Sequence, residues 1–290
     1  MHSQNNIIKI GPSGTCMDFA SSGRSHTVEV PDWLVENGLD CFEYSFGRGV
    51  MLKEDTARKI GQAFAEKELE ISVHAPYFIN LATLEEEKAH NNLRYIFDSM
   101  KALGWLGGKR CVIHPGSPLK NPRDMAMKVL LNAFENVLKM KEELGYGDML
   151  LCPETMGKKA QLGNIDEIIA MCKMGDDTII PCIDWGHLNS LDQGIFFTKD
   201  DYKRAIDKLI DSIGEYKTKN MHIHFSKIQF TQNGELKHLT FDDEIYGPPF
   251  EPLLDVISEY KMTPYIVCES AGTQTRDALM MKKYYEQLQK

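Results

Sequence analysis

The chain has 290 residues, 42% of them hydrophobic and 26% charged, an ordinary balance for a folded protein with a large core. Its 33 basic and 42 acidic residues leave a net charge of −9, which argues against holding nucleic acid by bulk charge. No apolar run approaches the ~20 residues of a membrane span, residues 1–10 lack the pattern of a signal peptide, and seven scattered cysteines without a Cys-x-x-Cys pair argue for a reducing, cytoplasmic setting over a disulfide framework.

In chain order, short apolar or β-branched runs bounded by turn residues alternate with amphipathic stretches. The expected strands cover 7–11, 41–44, 71–74, 110–114, 149–154, 178–184, 220–225 and 265–269. The expected helices cover 31–37, 54–67, 84–103, 122–144, 165–174, 199–213, 251–260 and 274–289. Pro31 opens the first helix and Gly38 closes it, while Gly104, Gly145 and Gly175 stop three later ones. Asn164 and Thr198 are expected N-caps. Ala57, Ile60, Ala63 and Phe64 mark one buried face, and Met125, Val129, Leu130 and Phe134 another. Eight near-continuously apolar strands alternating with eight helices predict a parallel α/β sheet closed into a (β/α)8 TIM barrel, one metal-dependent domain over 1–290.

Strands three to eight carry His74, His114, Glu154, Asp184, His222 and Glu269 at or near their C-terminal ends. In a barrel those ends converge on one mouth. One such histidine is usually a hydrogen-bonded polar residue, but six ionisable groups in one crater repel or stay costly without a cation. Imidazole with carboxylate suits zinc, manganese or iron. His187, three residues past Asp184, and His238, after strand seven, add two donors. Six or more ligands exceed the three protein ligands of a usual catalytic zinc, so two or three ions are expected, with Glu154 placed to bridge a pair. His224, two residues past His222 and on the same side of the strand, is open to three roles, a ligand, a group behind the ligands or a substrate contact, with the non-ligand roles favoured. His2, His26 and His90 are read as surface residues, and the strand cysteines Cys41, Cys111, Cys152, Cys182 and Cys268 as small core residues, with Cys268 facing away from the mouth. Phosphate-loop and nucleophile-elbow motifs are absent. The loop Phe46-Gly47-Arg48-Gly49 offers Arg48 as a phosphate contact.

The run His74-Ala75-Pro76-Tyr77-Phe78-Ile79-Asn80-Leu81-Ala82 resembles the third-strand motif of the endonuclease IV family. Ile113-His114-Pro115-Gly116-Ser117, Pro153-Glu154-Thr155, Asp184-Trp185-Gly186-His187, His222-Ile223-His224-Phe225-Ser226-Lys227 and Cys268-Glu269-Ser270 resemble its later motifs, in order. The resemblance implies a barrel with up to three zinc ions, manganese being compatible. One ion would take His74, His114 and Glu154; a second Glu154, Asp184, His222 and Glu269; a third His187, His238 and an acid. It also implies hydrolysis of DNA on the 5′ side of abasic sites by a metal-activated hydroxide. Glu154 and Glu269 are then the catalytic carboxylates, and Arg48, Tyr77, Asn80 and Lys227 the expected DNA contacts, with no obligate protein partner. Where the family has Asp-x-His, this chain reads Glu235-Leu236-Lys237-His238, so Glu235 is the candidate third-metal acid. The alternative is a sugar isomerase or epimerase of the xylose-isomerase-like superfamily, with one metal on Glu154, Asp184, His222 and Glu269 and two carboxyls working as acid and base on a small sugar.

Overall fold

A computed structural model describes residues 8–290; the expected strand residue Ile7 and the surface assignment of His2 lie outside them. Among the described residues there are ten strands: β1 (Lys9–Pro12), β2 (Cys41–Ser45), β3 (Glu70–His74), β4 (Arg110–Ile113), β5 (Leu150–Pro153), β6 (Cys182–Asp184), β7 (His222–Phe225), β8 (Ile228–Thr231), β9 (Gly234–His238) and β10 (Tyr265–Cys268). The helices are α1 (Met17–Ser21), α2 (Val30–Glu36), α3 (Glu54–Ala65), α4 (Glu86–Leu106), α5 (Arg123–Glu143), α6 (Ile165–Cys172), α7 (Trp185–Leu191), α8 (Lys199–Lys219), α9 (Glu251–Glu259) and α10 (Gln274–Leu288).

Strand pairing gives two parallel sheets, β1-β10-β7-β6 and β2-β3-β4-β5. Parallel bridges Ser13–Glu43 and Glu154–Cys182 join their edges, so the eight strands close into a ring in chain order, with β10 returning to β1. The (β/α)8 barrel expected from the alternation is the observed architecture. The pair β8–β9 is an antiparallel hairpin outside the ring, and the alternation gave no sign of it. No described helix is long and apolar enough to cross a membrane.

Helix faces pack against the strands as the 3.6-residue period requires. Ala57, Ile60 and Phe64 of α3 are buried, with Ala63 at the edge of that stripe. On α5 the buried stripe is Ala126, Leu130, Phe134 and Val137, while Met125 is exposed. Leu130 and Phe134 of the expected face are buried and Val129 is half-buried, while Ala126 and Val137 complete a stripe spaced four, four and three residues apart. Burying a side chain such as Phe134 contributes roughly 1.5–3 kcal/mol.

The stop for α4 is Gly107, not Gly104; Gly107 takes the left-handed conformation (φ 72°) that ends a helix without a Cβ penalty. Asn164 caps α6 by accepting the Glu167 N–H at 3.0 Å. Beyond residue 213, α8 continues to Lys219 after a break at Gly214. All seven cysteines are free and buried, and Cys268 faces away from the mouth, its Sγ 3.6 Å from Met281 Sδ on α10.

Candidate metal centre

The C-terminal ends of the strands open on a cavity of about 310 Å³ whose lining includes His74, His114, Glu154, His187, Glu235 and His238. Each donor follows from its strand. His74 ends β3, His114 and Glu154 follow β4 and β5 directly, Asp184 ends β6, and Glu269 follows β10. Near-complete burial comes with the position: Glu154 is 1% exposed and Asp184 0%.

Glu154 is the hub. Its Oε2 lies 3.0 Å from both His74 Nε2 and His114 Nε2. Its Oε1 lies 3.1 Å from His224 Nδ1 and 3.4 Å from His187 Nδ1. The Nδ1–H of His74 donates to the Ala75 carbonyl (2.7 Å), that of His114 to Tyr77 (3.0 Å), and that of His187 to Thr155 (2.9 Å). These bonds keep the proton on Nδ1 and turn a bare Nε2 lone pair toward carboxylate oxygens. Lone pairs facing lone pairs at 3.0 Å call for a proton or a cation between them. Asp184 adds a second sign: Oδ1 accepts the His187 N–H at 2.7 Å, while Oδ2 is buried without a hydrogen bond.

Four donor groups result: His74, Glu154 and His224; Glu154, Asp184, His224 and Glu269; His187, Glu235 and His238; and, deeper in the barrel, Cys182, His222 and His224, with donor atoms within 4.8 Å in each. His114 joins the first through its contact with Glu154. Nitrogen and carboxylate oxygen in these numbers fit one or more divalent transition ions.

Protonation follows the charge pattern. Burial opposes charge on His74, but Glu154 overrides it and raises that imidazole to about 9. His187 is likewise opposed by burial, yet Asp184 and Glu154 raise it to about 10. Burial lifts the Asp184 carboxyl above its usual range. Against its own burial, Glu154 is held well below the carboxylate range by His224 and His114.

Several expected roles change. At the mouth the donor groups contain His224, while the expected ligand His222 belongs to the deeper group with Cys182 and His224. In the parallel register, His224 lies opposite Asp184 and Val267, at the height of the mouth. His222 starts β7, one layer down, opposite Cys182 and Tyr265, and burial keeps it neutral with a pKa of about 4. Cys182 is inward-facing too, with its sulfur near His222 and His224. Glu235 does reach the third group despite its spacing, standing 3.5 Å from His187 Nε2 and 3.8 Å from His238 Nε2. The hairpin makes this possible. Gly234 (φ 95°) would place a Cβ 2.1 Å from the Gly157 carbonyl, and the Glu235 N–H donates to that same carbonyl at 2.9 Å.

Two expected DNA contacts are committed elsewhere. Asn80 Oδ1 accepts the Ala82 and Ser117 N–H groups at 3.0 Å each, bracing the loops after β3 and β4. The Lys227 ammonium donates to the backbone carbonyls of Phe241 and Asp243. Arg48 is exposed but does not line the cavity, whereas Tyr77 lines it and is 62% exposed. Lys158, which the motifs did not single out, lines the cavity from the loop after β5. Glu43 was also missed: it is fully buried on β2 and contacts His222 and His224. A lone acid within the run Cys41-Phe42-Glu43-Tyr44 was the available signal.

A family model described as a xylose isomerase-like TIM barrel matches residues 31–285. The chain is 32% identical over 255 residues to the uncharacterized protein MJ0133 of Methanocaldococcus jannaschii, covering 88% of this chain and 90% of that one. It is 26% identical over 207 residues to a probable endonuclease 4 of Staphylococcus carnosus, covering 68% and 67%. Among solved structures, a D-tagatose 3-epimerase-like protein superposes with a TM-score of 0.73 at 19% identity, covering 97% of this chain and 98% of that one. Endonuclease IV of Thermus thermophilus superposes with a TM-score of 0.65 at 17% identity, covering 96% and 99%. IOLI protein with a binding zinc atom gives 0.64 at 14% identity, covering 97% and 96%. The ring of parallel strands, the donor-lined mouth and a family match over most of the chain lead to one conclusion: this protein belongs to the xylose isomerase-like TIM barrel family.

Proposed function

We propose that the protein is a metal-dependent phosphodiesterase resembling endonuclease IV, cutting the DNA backbone on the 5′ side of abasic sites in base-excision repair. One observation carries the reading: a third donor group, His187, Glu235 and His238, stands beside the four donors that a single-metal barrel needs. A multinuclear centre suits phosphodiester hydrolysis, where charge builds on both the attacking and the leaving oxygen. His74, His114 and Glu154 would hold one ion, Glu154, Asp184, His224 and Glu269 a second, and His187, Glu235 and His238 a third. Zinc fits this set, and manganese is tolerated. Bound ions would supply water activation and charge neutralisation. The chain's own groups hold the geometry: backbone carbonyls orient three imidazoles, Glu154 stands between groups, and Tyr77 and Lys158, which line the cavity, would meet sugar and phosphate. An abasic nucleotide reaches such a recessed site easily because no base pairing is lost. The free, buried cysteines support a cytoplasmic setting.

The test is elemental analysis of purified protein together with incubation on a duplex bearing one abasic analogue. Two or three equivalents of zinc or manganese and a single nick are expected. His114→Ala should abolish nicking, a larger effect than the ~10–100-fold typical of losing an outer partner of a metal ligand. One metal equivalent, no nick and turnover of a ketose would replace this reading with a sugar epimerase that uses Glu154, Asp184, His224 and Glu269.

A further inference from the structure

Below the mouth, the barrel holds a second polar layer that the proposed chemistry does not use. Glu43 on β2, Ser72 on β3 and His222 on β7 are each 0% exposed. The Ser72 hydroxyl donates to Glu43 Oε2 at 2.9 Å, and His222 Nε2 lies 3.0 Å from the same oxygen. His224 Nε2 lies 2.9 Å from Glu43 Oε1. Both histidine–Glu43 pairs are in ion-pair contact without full hydrogen-bond alignment, and Glu43 Oε1, His224 Nε2 and both ring nitrogens of His222 have no hydrogen-bond partner. Buried polar atoms left so are costly unless they serve each other.

His224 is also turned differently from the other ring donors. His74 and His114 keep Nδ1 on a backbone carbonyl and aim Nε2 at Glu154. His224 aims Nδ1 at Glu154 (3.1 Å) and Glu269 (3.6 Å), and its Nε2 points down to a carboxylate. A ring that binds a cation through one nitrogen must carry its proton on the other, and whatever accepts that proton fixes the ring.

We propose that Glu43 is a positioning residue for the metal centre: it accepts the Nε2 proton of His224, which leaves Nδ1 as the donor facing the mouth. The Ser72 hydroxyl holds Glu43 by a hydrogen bond, and His222 packs against the same oxygen from below. The inference rests on the proposed donor group of Glu154, Asp184, His224 and Glu269. The hydrolase and epimerase readings share that group, so failure to nick DNA leaves this inference standing or falling on its own test.

The test uses metal-free protein titrated with Co2+, followed by visible absorption, with thermal unfolding of the metal-free form measured in parallel. Glu43→Gln should weaken one class of Co2+ sites by about 10–100-fold and shift its absorption band. The Tm of the metal-free protein should fall, because the carboxylate that Ser72, His222 and His224 surround has lost its charge, so the Co2+ titration is the deciding readout. Ser72→Ala should weaken the same class in the same direction by a smaller factor, and it carries the test if Glu43→Gln does not fold. An unchanged Co2+ titration with a lowered metal-free Tm would make Glu43 a structural residue and overturn the proposal. So would loss of a whole Co2+ equivalent in both Glu43→Gln and Cys182→Ala, which would mark an ion bound by the buried layer itself. Loss of the class in His222→Ala with its retention in His224→Ala would overturn it as well, by making His222 the ligand.

Discussion

At the scale of single residues, protonation and metal binding compete for the same lone pairs. Without a cation, His74 and His187 hold their protons up to about 9 and about 10, against 6.5 for a free imidazole. A folded-state pKa raised above the unfolded value stabilises the fold fully below the unfolded value and loses that contribution as pH rises through the folded one. The metal-free protein should therefore lose stability between about pH 6.5 and 10 from these two groups. Metal binding has the opposite slope, since each ligand must shed a proton first. Calorimetric Tm values at pH 7 and 9.5 check both: the metal-free Tm should fall, and the increment added by zinc should grow. A zinc increment that shrinks with pH would contradict the donor assignment. Most of these donors were legible as residue types at strand ends. That His224 rather than His222 stands at the height of Asp184 was not, because both point into the barrel and only the strand register sets their heights.

Among the elements, the hairpin β8–β9 brings Glu235 and His238 to His187 and so builds the third donor group. It was unread because strand alternation predicts ring strands, and a short antiparallel pair inserted after β7 breaks that rhythm. Its seat is narrow: a Cβ on Gly157 would stand 2.8 Å from Glu235 Cβ and 2.8 Å from His187 Cδ2. Gly157→Ala should therefore push the third donor group apart and lower the metal content by about one equivalent, with the His74–His114–Glu154 group intact. Elemental analysis beside far-UV circular dichroism checks this; unchanged stoichiometry in a folded variant would separate the hairpin from metal binding. Helix ends were read in part: Gly104 lies inside α4, and α6 ends at Cys172, before Gly175. Gly38 and Gly145 lie just past α2 and α5 with positive φ (63° and 77°), since a helix stop is written in local backbone freedom.

Over the whole molecule, the net charge of −9 is a sum that no single face experiences. Acids such as Glu154, Asp184 and Glu269 contribute to it while standing as candidate ligands, and bound dications would turn the mouth positive above an acidic exterior. Few phosphate contacts are then available outside the pocket, with Asn80 and Lys227 committed to backbone groups. Affinity for an abasic duplex should show a shallow dependence on salt, a slope of about −0.9 per phosphate neutralised and few phosphates counted. Fluorescence anisotropy between 50 and 200 mM salt, a window of roughly this size being standard for such slopes, measures it. Tight, steeply salt-dependent binding of undamaged duplex would contradict this picture.

What the amino-acid order determined by itself was the alternation of strand and helix, hence the barrel, and the placing of His, Asp and Glu at the ends of its strands. Those are local properties: apolar period, turn residues and side-chain chemistry act over a few neighbours. The tertiary structure decided which of those donors share a centre. Grouping depends on strand register, on the lumen layer each side chain reaches, and on a hairpin that brings Glu235 and His238 to His187 across an intervening stretch of chain. Such distances are set by closure of the ring, and no window of sequence contains them.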